Sequence, residues 1–204
     1  MLGSRKLALN SLICLILSLF GCQSGNTVNI QSAQQDLMDS PSLPTGAYLP
    51  ESENAATVYL TDLDLIDLDR GADLSHLSGR IVQIRLFLRP SAGSTPVKNS
   101  ACSATVRHVI LANGNIGVYS GGAFLNPSGK VGDPRLSGSI QHATMRLTGS
   151  AGAFSDRLGA ANLDAHFDVK KDEALAKRIG ARLDDILLTV GEARRTGQAN
   201  PTNP

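Results

Sequence analysis

The stretch Ala104–Gly122, ATVRHVILANGNIGVYSGG, decides how the rest of the chain is read. Asn113-Gly114 readily takes two successive positive φ angles, which a two-residue hairpin turn between right-twisted strands demands. Apolar residues alternate on either side of it, and alternation at period two places one set of side chains on one face of a strand. The segment predicts a β-hairpin from Thr105 to Tyr119.

The same alternation recurs on both sides. In RIVQIRLFLRP, Val82, Ile84, Leu86 and Leu88 share one face, while Gln83, Arg85, Phe87 and Arg89 share the other. Pro90 has no N–H for a ladder, so the strand is expected to stop there. GSIQHATMRLTG predicts a strand with Ala143, Met145 and Leu147 on one side. ANLDAHFDVK alternates most cleanly, with Leu163, Ala165, Phe167 and Val169 facing in. An earlier strand is expected over Ala56–Leu63, and Gly- and Pro-bearing joints such as NPSGKVGDP and GSAGAFSD separate the runs. Short strands at this spacing imply a mainly β body, an antiparallel β-sandwich or open barrel, over residues 56–190.

One helix closes that body. From Asp172 onward, Leu175, Ile179, Leu183 and Ile186 recur at helical spacing and make a narrow apolar stripe. Asp172 suits an N-cap, and Glu173 suits the positive end of the helix dipole. Gly180 costs up to about 1 kcal/mol relative to Ala inside a helix, unless it permits close approach to the sheet. The amphipathic C-terminal helix is expected to cover one face or one open end of the β structure.

The flanks read differently. Residues 22–55 are rich in Gln, Ser, Asn and Pro without sustained apolar period, which predicts a flexible tether; residues 191–204 predict a disordered tail. The chain opens MLGSRKLALNSLICLILSLFGC, with Arg5 and Lys6 ahead of an apolar run from Leu7 to Phe20. About fourteen helical residues rise roughly 21 Å, short of a bilayer core of about 30 Å. These proportions predict a signal peptide over residues 1–21. Leu19-Phe20-Gly21-Cys22 resembles the lipobox of bacterial lipoproteins. The resemblance implies cleavage before Cys22, acylation of its thiol and a membrane anchor, and Gln23 in place of aspartate implies the outer membrane. It covers only the first two dozen residues, and Phe20 is bulkier than that position's usual occupant.

Without its leader the chain has seventeen basic residues (nineteen less Arg5 and Lys6) against eighteen acidic ones, a balance of −1. That near-neutrality argues against nucleic acid as a partner. Of three cysteines, the lipobox resemblance implies that Cys14 leaves with the leader and that Cys22 is acylated; Cys102 then remains alone and is expected in the core.

Four constellations bear on chemistry. The series TDLDLIDLDRGAD places Asp62, Asp64, Asp67, Asp69 and Asp73 close together, as calcium requires, but misses the EF-hand spacing; a solvated strand edge is the other reading. A single ion site there needs a bend near Ile66. In NLDAHFD, Asp164, His166 and Asp168 fall on one strand face, fit either for a metal or acid–base set or simply for a wetted face. His76, His108, His142 and His166 match no spaced metal motif, although His108 and His142 both fall in predicted strands. GGAFLNPSGK fails the phosphate-loop spacing, since six residues separate Gly122 from Gly129 and Val131 follows Lys130; no G-x-S-x-G elbow occurs.

The expected function is a lipid-anchored, non-enzymatic cell-envelope module that binds a partner, an envelope protein for example, with no cofactor. The competing readings are a metal-dependent envelope enzyme using Asp164, His166 and Asp168, and a calcium-binding adhesion-type domain using the Asp62 series. With no Trp and three Tyr, an aromatic carbohydrate platform is disfavoured.

Overall fold

A computed structural model describes residues 25–69, 71, 73–87 and 102–197. The expected leader over residues 1–21, Cys22, the strand end at Leu88–Pro90 and the last seven residues lie outside the described residues. In chain order the elements are β1 (Thr27–Ser32), β2 (Met38–Asp39), β3 (Thr45–Pro50), β4 (Ala56–Thr61), β5 (Ser78–Leu86), β6 (Ala104–Ala112), β7 (Asn115–Ala123), β8 (Leu125–Ser128), β9 (Arg135–Ala151), β10 (Ala161–Lys171) and helix α1 (Glu173–Arg195). A 3₁₀ turn, Leu65–Leu68, interrupts the β4–β5 connection.

The hairpin forms as its turn dictates. Asn113 and Gly114 have φ of 49° and 81°, and Ala112 pairs with Asn115 directly across the turn. Antiparallel pairing then runs from β3 through β4, β5, β6, β7 and β9 to β10. A short parallel contact, Lys170 and Lys171 against Ala47 and Tyr48, links β10 back to β3 and completes the ring. β1 occupies the remaining length of the same β10 edge, and β8 lies along β9.

Strand parity sorts the core into two layers. Tyr48, Val58, Leu60, Val82, Ile84, Val106, Leu163, Phe167 and Val169 pack together inside the ring. Residues of the opposite parity, Ala47, Tyr59, Ile81, Val109 and Val118, pack outside it against Ala176, Ile179, Leu183, Ile186 and Val190 of α1. The helix therefore covers a face of the sheet, and β4 beneath it is buried at every position. Asp172 caps α1 by accepting the Leu175 N–H at 2.9 Å. Gly180 permits the close approach, because a Cβ there would lie 2.8 Å from Tyr59 Oη.

Three expectations are corrected. The span read as a tether over residues 22–55 contains β1, β2 and β3, with Val28, Ile30 and Tyr48 buried in the interior core. TVNIQS offers only two apolar residues, too few for a periodic signal, and is strand because β10 presents it an edge. The tail boundary also moves, since α1 continues to Arg195 and ends where the Thr196 N–H bonds Glu192 O. Cys102 is exposed, because β6 begins at Ala104 and it is Ser103 that turns inward. Ser103 Oγ accepts the Leu125 N–H at 3.0 Å, tying the base of β6 to β8.

Candidate functional site

The most site-like feature sits where β9 bends. β9 is seventeen residues long, and its pairing with β10 shifts register between Leu163 and Ala165. Opposite that shift, His142 adopts φ of 55°, a left-handed conformation uncommon outside glycine. The irregularity turns both Ile140 and Ala143 inward, breaking the alternation read from the sequence. Bulges of this kind re-aim a side chain, and a non-glycine residue held there is strain that the surroundings must sustain. Asp164 sustains it: its Oδ1 accepts the His142 backbone N–H at 2.6 Å.

The result is an open groove of about 450 Å3, bounded by Thr27 and Asn29 of β1, Ser139, Ile140, Gln141 and His142 of β9, and Asp164, Ala165 and His166 of β10. Register explains the convergence, since Thr27 and Ser139 flank His166 while Asn29 pairs with Asp164. The His142 side chain is 81% exposed and that of Asp164 48%. Nδ1 of His142 stands 3.8 Å from Asp164 Oδ1, beyond hydrogen-bonding distance.

The expected trio is thus divided. Asp164 and His166 line the groove, but Asp168 turns to Arg135, whose Nη2 and Nε donate to it at 2.7 and 3.0 Å, and to Ser137 Oγ at 3.0 Å. The Arg135 hydrogen bonds hold the Asp168 carboxyl below the ordinary aspartate range. His142 takes the third place, from a different strand.

The acidic series does bend, at Leu65–Leu68, yet its carboxylates diverge. Asp62 accepts the Arg80 backbone N–H and faces the Arg80 guanidinium at 3.7 Å, while Asp69 pairs with Arg178 of α1 at 2.5 Å. Asp73 holds the Ser75 N–H and hydroxyl. Asp64 is exposed, with its carbonyl accepting the Asp67 N–H. Among the described residues, no group of three or more His, Cys, Asp or Glu is arranged to hold a metal ion.

The remaining histidines part company as well. His76 is exposed on a loop, and His108 faces the barrel interior, away from His142. His108 is fully buried, stacks on Tyr119 at 6.4 Å, and neither ring nitrogen has a hydrogen-bond partner. Burial, and secondarily the Arg80 cation, push its pKa down from 6.5 to about 4. Arg80 is held at this end of the barrel by a bond to Asp39 of β2 at 3.0 Å. Tyr119 donates to Asp156 at 2.6 Å, and burial raises its phenol above the ordinary value. Sequence reading missed this interior polar set, because apolar residues occupy both faces of β6 and leave the inward parity of His108 unmarked. No protein-family model, curated protein or solved structure matches the chain.

Proposed function

We propose that this chain is a lipid-anchored cell-envelope protein, fixed to the outer membrane by an acylated Cys22, whose folded body is a non-enzymatic binding module working through the His142–Asp164–His166 groove. The bond from the His142 backbone to Asp164 carries the binding half of this reading. In an acid–base pair the carboxylate takes the imidazole N–H and fixes its tautomer. Here the same oxygen holds the main chain of a strained bulge, and the imidazole stands 3.8 Å away. The carboxylate shapes a recess lined by amides, hydroxyls and imidazoles, a set suited to hydrogen-bonding a polar ligand.

The anchoring half rests on the resemblance of Leu19–Cys22 to a lipobox. Two or more acyl chains, at about 0.8 kcal/mol per buried methylene, hold a protein stably on a bilayer. Replacing Cys22 by Ala is expected to move the protein from the membrane to the soluble fraction, and mass spectrometry of the native chain is expected to find acyl mass on Cys22. Unchanged membrane retention, or a mature terminus still bearing residues 1–21, refutes the anchor. Neither alternative is favoured by the geometry, because Asp168 is engaged by Arg135, and Asp62 and Asp69 by separate arginines.

A further inference from the structure

We propose that the groove seats a phosphoethanolamine headgroup of the membrane to which the chain is anchored. This rests on the anchored reading above and identifies the ligand of the same groove. Two independent observations lead to it.

The first is reach. Thr27, on the groove wall, is five residues after Cys22. An extended chain spans at most about 3.6 Å per residue, so Thr27 lies within roughly 18 Å of the acylated residue. The headgroup zone of one leaflet is itself about 5–7 Å deep. A sheet starting at Thr27 leaves no long spacer to lift the groove away. Tethering at such range raises the effective headgroup concentration to the millimolar scale or above, so that weak intrinsic affinity is sufficient.

The second is chemistry. The lining includes one carboxylate, Asp164, and no lysine or arginine. Anionic lipid is ordinarily captured by clustered Lys and Arg, which this groove does not supply. Asp164 uses Oδ1 for the bulge, and its carboxylate, about half exposed, lines the groove with a second oxygen that the bulge does not use. A primary ammonium brings three N–H donors to such an oxygen, whereas a trimethylammonium brings none and is recognised by aromatic cages instead. Beside the carboxylate, His142, His166, Asn29 and Thr27 offer donors to a phosphate two carbons away. Neighbouring side chains on paired strands stand about 4.5–8 Å apart, within reach of both ends of one small zwitterion. The site holds the headgroup by hydrogen bonds and leaves its acyl chains in the bilayer.

The test reads the imidazole NMR resonances of His142 and His166, with His76 as an internal control. The acylated full chain is placed in nanodiscs of phosphatidylcholine alone, or with phosphatidylethanolamine or phosphatidylglycerol added. The Cys22→Ala chain is titrated with soluble O-phosphoethanolamine and with phosphocholine. The expected result is a selective shift at His142 and His166 with phosphatidylethanolamine and with millimolar phosphoethanolamine. Asp164→Asn keeps an acceptor for the His142 N–H and is expected to weaken that binding at least about tenfold, as loss of a charge-assisted bond does. Equal shifts with choline lipid, a preference for phosphatidylglycerol, or full affinity in the asparagine variant would overturn the proposal. So would a response to soluble phosphoethanolamine alone, which would assign the groove to a free ligand away from the membrane. The soluble arm does not depend on the anchor, and acyl mass at Cys22 reports on the anchor alone, so the two readings fail separately.

Discussion

Acid should destabilise this protein through one buried imidazole. His108 has no hydrogen-bond partner for either nitrogen, lies against Tyr119, and has the Arg80 cation nearby, countered by Asp39. Its pKa falls from 6.5 to about 4 in the fold, first because burial disfavours the imidazolium. The unfolded chain therefore binds a proton between those values that the native chain refuses. The stability linked to His108 is whole above about pH 6.5, declines as pH drops towards 4, and is lost below it. At about 1.36 kcal/mol for each tenfold difference, the full loss is about 3 kcal/mol, with roughly 2 kcal/mol gone by pH 5. Against typical domain stabilities of 5–15 kcal/mol this is a large share. Urea unfolding of the wild type and His108→Leu, each at pH 7.5, 5 and 4, isolates the effect, since the carboxylates are common to both. The wild type is expected to lose about 3 kcal/mol more than the variant across that range. Parallel pH profiles, or an NMR titration placing His108 near 6.5, would refute the reasoning.

Glycine positions supply a paired prediction. Gly121→Ala would bring Cβ to 1.7 Å from the Thr144 carbonyl oxygen, and is expected to cost more than about 3 kcal/mol or prevent folding. Gly191→Ala meets nothing within 4 Å on an exposed face of α1 and is expected to stabilise by about 0.5–1 kcal/mol, both read from urea midpoints. Asp172→Ala removes the acceptor for the Leu175 N–H, with an expected loss of about 1 kcal/mol and a longer frayed first turn in hydrogen exchange. Truncation before Asp172 uncovers Ile81, Val109 and Val118, and is expected to produce aggregation visible by light scattering.

The local code carried far. Asn113-Gly114 specified a turn because two positive φ angles suit those residues and few others, and ANLDAHFDVK alternated cleanly because β10 is wetted on one face. The α1 stripe and its Asp172 cap were equally legible, since a helix face and a capping carboxylate both depend on neighbours within a few residues. Outward projection of Asp164, His166 and Asp168 from β10 followed from period two alone.

What escaped local reading depended on partners distant in sequence. TVNIQS carries too little apolar character to announce itself, and became strand only because β10, more than a hundred residues later, leaves an edge unpaired. The meeting of His142 with Asp164 required a register shift between β9 and β10, and the departure of Asp168 required Arg135 across the ladder. His108 looked like any alternating strand residue until ring closure placed its parity inside. By itself the sequence determined the strands with strong alternation, the tight turn and the capped helix, because backbone sterics and side-chain period act within a few residues. Tertiary structure alone decided which edges pair and which polar groups share a recess, because those depend on the free energy of burying surfaces that lie far apart along the chain.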